Sequence, residues 1–329
     1  MALSEYPNIS KSIKLDDGTQ YAYVYIEPAT SSKPTFLFLH GFPSSSYDWR
    51  HQIEAFRTKG FGILAPDLLG YGDSDSPSAV EPYALKRMSD HLAEILVKQG
   101  VRKVIGVGHD WGSAFLSRFY TWHSEFLLAT IFLAVGYVEP TGAPVDVDGV
   151  IALTQQLFGY PTFGYWKLFN TEEAGKLLDS HSQSASSLFY PQDPEIWKEH
   201  FGPVGAAEAW ISSNKITPPP AWLTAEEIAT HTKILAQKGY VGPLNWYKSA
   251  IRGGDVEFEA SLPEERKHVK VPTLFVLAKE DYVGRPEIQK RGATWIQNLR
   301  IEEFPCGHWV QLEMPDKLND LVLEFVSGL

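Results

Sequence analysis

The hydrophobic positions of this chain fall into short, separated runs with two different periods. Residues 10–15 and 20–27 flank Asp17 and Gly18, a turn signal typical of a β-hairpin. After this hairpin, apolar runs that predict buried strands alternate with helical patterns. The predicted strands cover residues 35–39, 61–65, 104–107, 127–135, 271–278 and 300–304, and the predicted helices include residues 88–99 and 113–120. This alternation predicts an α/β fold, in which helices cover both faces of a mostly parallel central sheet.

The alternation of strands and helices stops between residues 139 and 251. This segment is rich in Trp, Tyr and Pro, and it contains a helical pattern at residues 224–237 and three consecutive prolines at 218–220. We therefore predict that residues 1–138 and 252–329 form one core and that residues 139–251 form an inserted helical cap, or lid. Such a lid would exclude water and supply aromatic walls for an apolar substrate.

Composition limits the classes of partner. With 329 residues, of which 44% are hydrophobic, the chain is long enough for one α/β core with an insertion. Its net charge of −11 argues against binding to nucleic acid or to an anionic membrane surface. The single cysteine, Cys306, excludes an internal disulfide and favours a reducing compartment. Since neither a signal peptide nor a membrane span of ~18 apolar residues is evident, we expect a cytoplasmic protein.

The sequence contains none of the short patterns typical of metal or phosphate sites. Neither His-Glu-x-x-His nor Cys-x-x-Cys occurs, and residues 70–73, Gly-Tyr-Gly-Asp, have the wrong spacing for a phosphate-binding loop and predict a turn. We therefore expect no metal site and no cofactor.

Residues 108–112, Gly-His-Asp-Trp-Gly, lie between a predicted strand and a predicted helix. This is the arrangement of a nucleophile elbow, in which flanking glycines permit a sharp, strained turn. A carboxylate that attacks an acyl carbon forms an anhydride, whereas attack on an sp³ carbon forms an ordinary ester. Asp110 in the nucleophile position therefore predicts an alkyl electrophile, either an epoxide or a carbon–halogen bond. The alternative is a turn aspartate that is bonded to its own backbone.

Residues 40–43, His-Gly-Phe-Pro, follow the first strand of the predicted α/β core. In the nucleophile-elbow fold, an N–H group of this loop and the N–H group after the nucleophile form an oxyanion hole. Here those donors belong to Phe42 and Trp111. They would hold the Asp110 carboxylate ionised and later stabilise the tetrahedral intermediate of ester hydrolysis. We also assign to the substrate pocket His40, Gly41, Pro43 and Trp309.

An acid and a histidine follow the last two predicted strands. Asp281 comes after the first of these strands, and His308 comes after the second. Nucleophile, acid and histidine is the chain order described for the elbow fold, so Asp110, Asp281 and His308 predict a catalytic triad. Glu139, which follows an earlier strand, is the alternative acid.

With these motifs the chain resembles an α/β-hydrolase-fold epoxide hydrolase of the soluble type over nearly its whole length. The resemblance rests on residues 40–43, residues 108–112, Asp281 and His308. It implies that an apolar epoxide and water, the expected partners, are converted to a vicinal diol through an ester on Asp110, without a cofactor.

The same resemblance implies two lid tyrosines that bind the epoxide oxygen. Residues 242–247 and 163–169 are similar to the family segments that carry them, and they point to Tyr247 and Tyr165. The chemistry also requires such groups, because an opening epoxide produces an alkoxide and a phenol of pKa about 10 can protonate it. The alternatives for these two positions are Tyr160 and Tyr240.

Two other functions stay open. Haloalkane dehalogenases share the fold, and some share His-Asp-Trp-Gly at the elbow. For a dehalogenase of that kind we would expect asparagine or glutamate, which help to hold the halide, at the position where this chain has Phe42. A catalytically silent binding module on the same fold is the second alternative, and it would leave the triad without a purpose. The sequence assigns neither the natural substrate nor the oligomeric state.

Overall fold

An eight-stranded β-sheet organises the computed structural model, which describes residues 2–329. The strands are β1 (Ser10–Lys14), β2 (Gln20–Ile26), β3 (Thr35–Leu39), β4 (Gly62–Pro66), β5 (Val104–His109), β6 (Leu127–Leu133), β7 (Thr273–Ala278) and β8 (Leu299–Phe304). Their order across the sheet is β1-β2-β4-β3-β5-β6-β7-β8. Strand β2 is antiparallel to both neighbours, and all other pairs are parallel. The mostly parallel sheet predicted from the hydrophobic pattern is confirmed.

The helices fall into three groups along the chain, divided by strands β6 and β7. Those before β6 are α1 (Ala2–Glu5), α2 (Arg50–Arg57), α3 (Leu85–Lys98) and α4 (Trp111–His123). Those between β6 and β7 are α5 (Val147–Phe158), α6 (Tyr165–Phe169), α7 (Ala174–Ser180), α8 (Ser182–Phe189), α9 (Trp197–His200), α10 (Ala206–Ser212), α11 (Ala225–Ala236), α12 (Val241–Arg252) and α13 (Val256–Glu259). Those after β7 are α14 (Pro286–Gln289), α15 (Val310–Glu313) and α16 (Pro315–Ser327).

Both faces of the central strand β3 are buried. Successive residues of a strand point to opposite faces, and here Phe36 and Phe38 pack in one apolar cluster with residues of α2 and α16. Leu37 and Leu39 pack in a second cluster with residues of α3 and α4. This two-sided burial explains why the sequence of β3 is a continuous apolar run rather than an alternating one.

The long connection between β6 and β7 is helical. Within the described residues it contains no named strand, and the predicted helix at residues 224–237 is α11. We use the word lid for residues 139–251, with the boundaries predicted from the sequence. None of the helices in residues 2–329 combines the length and the apolar character that a membrane span needs.

The parallel strands bring four separated segments to one edge of the sheet. Residues 40–43 follow β3, Asp110 follows β5, Asp281 lies shortly after β7, and His308 lies shortly after β8. Because these strands run in the same direction, their carboxyl ends meet at the same edge, which is where α/β sheets place their ligand sites. The lid helices supply the opposite wall of this edge.

Candidate active site

Asp110 occupies a strained turn between β5 and α4. Its backbone angles are φ 54° and ψ −122°, a region that residues other than glycine rarely adopt. A Cβ atom built on Gly112 would overlap the Leu39 carbonyl oxygen, and one built on Gly108 would overlap the Gly112 carbonyl. The two glycines of the motif are therefore required by the close approach of the backbones of β3, β5 and α4. The turn presents the Asp110 side chain at the edge of the sheet.

Main-chain donors hold the Asp110 carboxylate. The Phe42 N–H donates a hydrogen bond of 2.7 Å to Oδ1, and the Trp111 N–H also bonds to the carboxylate. Burial raises the pKa of Asp110, while His308 and these two N–H groups oppose the rise by favouring the anion. The side chain retains 17% exposure, so a molecule in the adjoining cavity can reach it. The two donors assigned to the oxyanion hole thus lie on the carboxylate itself.

His308 is held between two carboxylates. Its Nδ1 lies 2.6 Å from Asp281 Oδ2, and its Nε2 lies 3.6 Å from Asp110 Oδ2. Burial alone would lower the pKa of His308, but the charge and hydrogen bond of Asp281, together with the Asp110 charge, raise it overall. Because Nδ1–H donates its hydrogen bond to Asp281, the ring proton stays on Nδ1. Nε2 faces Asp110 and is available to take a proton.

Asp281 is fixed on its other side by the backbone. Its Oδ1 accepts hydrogen bonds from the N–H groups of Val283 at 3.0 Å and Gly284 at 2.6 Å. Burial raises the pKa of Asp281, but His308 and these donors outweigh it and lower the pKa overall. The structure therefore places Asp281 beside His308. Glu139, the alternative acid, instead lines a more distant part of the cavity.

Both predicted lid tyrosines border the cavity that contains Asp110. Tyr165 begins α6 and Tyr247 lies in α12, and their ring centroids are 6.1 Å apart. Burial is the main cause that raises the pKa of each phenol, and the Asp110 charge adds to it. Both groups therefore stay protonated and can donate. The alternatives lie elsewhere in the described chain: the Tyr160 hydroxyl donates to the Tyr282 carbonyl at 3.1 Å, and Tyr240 borders a separate surface pocket.

The predicted pocket residues divide into two pairs. Pro43 and Trp309 border a small pocket beside Asp110. His40 does not, because its side chain is fully buried, with Nδ1 3.0 Å from the Gly41 carbonyl and Nε2 accepting from the Leu68 N–H at 3.0 Å. Burial lowers the pKa of His40 to about 4, so it is a neutral residue that fixes the loop. Gly41 packs directly against Asp110, where a Cβ atom would overlap the carboxyl group. The pocket assignment is therefore wrong for His40 and Gly41.

Sequence reasoning missed two neighbours of His308. His109 packs against the His308 ring at a centroid distance of 4.7 Å, and its Nε2 lies 2.9 Å from the His308 carbonyl oxygen. Burial lowers the pKa of His109 to about 3, so the neutral ring donates to that carbonyl. The lid residue Trp197 lies 5.6 Å from the His308 ring. His109 is part of the elbow motif and could have been noticed, whereas no sequence pattern marks Trp197.

Comparison with known proteins identifies the family to which this fold belongs. The sequence profile of the family described as alpha/beta hydrolase fold matches residues 34–315. The chain is 30% identical over 327 aligned positions to bifunctional epoxide hydrolase 2 of Rattus norvegicus. This alignment covers 93% of this chain but 55% of that protein. The chain thus spans about half the length of that relative. It is 28% identical to epoxide hydrolase A of Mycobacterium tuberculosis, covering 92% of this chain and 94% of that protein.

Two solved structures extend the similarity to three dimensions. Epoxide hydrolase A from Mycobacterium thermoresistibile superimposes with a TM-score of 0.78 at 26% identity, covering 97% of this chain and 98% of that one. An epoxide hydrolase from an endophytic Streptomyces gives a TM-score of 0.81 at 25% identity, covering 97% and 95%. From the profile match over most of its length, the chain belongs to the α/β-hydrolase-fold family, and the relatives that it resembles are epoxide hydrolases.

Proposed function

We propose that this protein hydrolyses epoxides to vicinal diols through a covalent ester on Asp110. The observation that carries the proposal is one arrangement: the Asp110 carboxylate shares a cavity with His308 and with the phenols of Tyr165 and Tyr247. The substrates are an apolar epoxide and water. We assign no cofactor, because the side chains present provide a nucleophile, a base and two proton donors.

In the first step Asp110 attacks an epoxide carbon. Oδ1 is bound by the Phe42 N–H, which leaves Oδ2 as the attacking oxygen. As the new C–O bond forms, the ring C–O bond breaks and its electron pair stays on the epoxide oxygen. Tyr165 and Tyr247 hydrogen-bond this oxygen, and one of them gives it a proton. The resulting phenolate is reprotonated at the end of the cycle, through solvent, by the proton that His308 takes up in the second step.

In the second step water hydrolyses the ester. His308 Nε2 takes a proton from a water molecule, and the hydroxide attacks the ester carbonyl carbon. The carbonyl oxygen is then Oδ1, which already accepts from the Phe42 N–H, and the Trp111 N–H lies on the same carboxyl group, so the tetrahedral oxyanion forms against preorganised donors. Collapse of this intermediate breaks the C–O bond to the substrate, and the leaving alkoxide takes the proton of the carboxylic acid that forms, which gives the diol and restores the Asp110 carboxylate. His308 then passes its proton through solvent to the phenolate. Asp281 stabilises the imidazolium that His308 becomes.

The tyrosine pair favours an epoxide over an alkyl halide. A halide ion leaves without needing a proton, whereas an epoxide oxygen stays attached to the product and must be protonated. Two buried phenols that face the nucleophile are therefore useful only for the epoxide. A silent binding module would need neither these phenols nor the His308–Asp281 pair.

The covalent intermediate provides the test. Because His308 acts only in the second step, His308→Gln should still form the ester but hydrolyse it slowly, and the alkylated protein should accumulate after exposure to styrene oxide. Intact-protein mass spectrometry detects the added mass. His268→Gln is the matched control, because His268 packs against Trp295 and does not border the cavity. This control should show no adduct. A His308→Gln protein that stays unmodified, or that turns over like the parent, overturns the assigned role.

We further propose that the protein works in the reducing environment of the cytoplasm and binds no nucleic acid. The support is chemical: the one cysteine, Cys306, is a buried free thiol whose pKa is raised by burial, and the net charge is −11.

A further inference from the structure

The space around Asp110 is strongly asymmetric. On one side lies a cavity of about 300 Å³, which we call the main chamber, and on the other lies a pocket of about 20 Å³, which we call the side pocket. The residues that border both spaces are Asp110, Tyr165, Tyr247, Val283 and His308. The reacting carboxylate therefore stands where a large space and a small space meet.

The main chamber runs along one face of α4. Trp111, Ala114 and Arg118 all line it, and their spacing of three and four residues places them on the same side of the helix. At ~1.5 Å per residue, the path from Asp110 to Arg118 is about 12 Å long. Ala114 is half-buried between two buried residues because it faces the open chamber. The chamber has room for a chain that extends away from the reacting centre.

The side pocket is closed by aromatic rings. Phe42 and Phe189 have centroids 5.4 Å apart, and Phe189 and Phe201 have centroids 5.8 Å apart. Pro43 and Trp309 complete the wall. A cavity needs roughly 10–15 Å³ to hold one water molecule, so the side pocket accepts a water or a hydrogen-bearing carbon but not a chain.

The far end of the main chamber carries excess negative charge. The Arg118 guanidinium is already engaged by Glu259 at 2.5 Å and by the Val138 carbonyl at 2.5 Å. Asp255 and Glu139 line the same end. Within residues 2–329, the Glu139 carboxylate has no hydrogen bond or ion pair of its own. The Asp255 carboxylate accepts hydrogen bonds from the first two N–H groups of α3, so Glu139 is the carboxylate at this end without a partner among the described residues. A carboxylate at the end of a substrate chain would meet this charge and would be repelled.

We propose that the substrate is a terminal epoxide whose single substituent is a long, uncharged chain. The chain lies in the main chamber, and the unsubstituted CH₂ of the epoxide faces the side pocket. This inference rests on the proposed function and adds the substrate class to it.

Two isomers of the same formula test the shape. The parent protein should process 1,2-epoxydecane with a kcat/KM at least about tenfold higher than that for trans-5,6-epoxydecane, because the internal epoxide must place a butyl group in the side pocket. Phe189→Ala widens that pocket and should reduce the ratio. Ala114→Leu keeps a good helix-forming residue and narrows the main chamber. It should therefore lower the kcat/KM for 1,2-epoxydecane relative to that for 1,2-epoxybutane. Thermal melting checks that each variant is folded.

A second matched pair tests the charge. At pH 8, well above the carboxylic acid pKa of about 4, the amide of 9,10-epoxydecanoic acid should be processed at least about tenfold better than the free acid. Glu139→Gln removes one negative charge from the chamber and should reduce this preference. Glu265→Gln removes the same charge from an exposed position outside the cavity and is the matched control, which should keep the parent preference.

The outcomes separate this inference from the proposed function. If diols form but the two decane isomers react equally well, or the acid is processed as well as the amide, the inference is wrong and the proposed function stands. If none of these epoxides gives a diol, the proposed function fails and the inference fails with it.

Discussion

Removal of the two phenolic hydroxyls is the sharpest test of the epoxide chemistry. The substitutions Tyr165→Phe and Tyr247→Phe each remove one hydrogen bond to the epoxide oxygen as its C–O bond breaks. Both keep the aromatic rings, whose centroids are 6.1 Å apart. The two side chains are buried in the wall of the cavity. Loss of each hydroxyl therefore removes a hydrogen-bond donor but leaves the packing of the ring almost unchanged. The substitutions should therefore slow the first chemical step selectively.

The size of the effect follows from the charge that the phenols stabilise. A hydrogen bond to a charged group contributes about 1.5–3 kcal/mol, so two donors to a developing alkoxide contribute about 3–6 kcal/mol. At about 1.36 kcal/mol per factor of ten, this corresponds to ~10²–10⁴ in rate. General acid catalysis typically gives the same range, ~10²–10⁴. Each single variant should lose less than half of the combined free energy, because the remaining phenol can partly replace the missing one.

The assay is a single-turnover measurement of ester formation, with enzyme in excess over styrene oxide and the alkylated protein quantified by mass. Tyr240→Phe is the matched control, since Tyr240 is also buried in the lid but does not border the cavity. This variant should alkylate at the parent rate. If the folded double variant Tyr165→Phe/Tyr247→Phe opens the epoxide at the parent rate, the two tyrosines are packing residues and the preference for an epoxide over a halide loses its basis.

Three further predictions address the nucleophile, the base and the fold. A single turnover in ¹⁸O-water should place the label in Asp110, because water attacks the ester carbonyl; label only in the diol contradicts the ester mechanism. Ester hydrolysis should fall as the pH drops through the pKa of His308, because the protonated ring cannot accept a proton from water. Asp281→Asn should move this midpoint to lower pH, because Asp281 is the main group that raises the pKa of His308 and keeps its charge when Asp110 is esterified. An unchanged midpoint in pre-steady-state hydrolysis would contradict that assignment. Asp255→Ala should lower the free energy of unfolding by about 0.5–2 kcal/mol in urea titrations, since its carboxylate accepts from the first N–H groups of α3; no loss would show that this cap is dispensable.

Much of the fold was predictable because a buried strand must be apolar on both faces. The predicted strand at residues 35–39 coincides with β3 (Thr35–Leu39), and the other parallel strands lie within a few residues of their predictions. Asp110, Asp281 and His308 could be proposed as a set because each follows the end of a parallel strand, and such ends meet at one edge. Tyr165 and Tyr247 came from a family resemblance, since no periodic pattern distinguishes a proton donor from a packing residue.

Contacts between distant segments decided the rest. Helix α3 begins at Leu85 rather than at residue 88. Its first N–H groups donate to the carboxylate of Asp255, a residue that follows the lid in the sequence. His40 is excluded from the pocket by its hydrogen bond to the Leu68 N–H, which the local sequence does not reveal. The main chamber and the side pocket likewise exist only because lid aromatics close one side of Asp110 and leave the α4 side open. The spacing of apolar residues along the sequence indicates whether a residue is buried. Tertiary packing decides which residue buries it, and the shape of the site depends on that choice of partner.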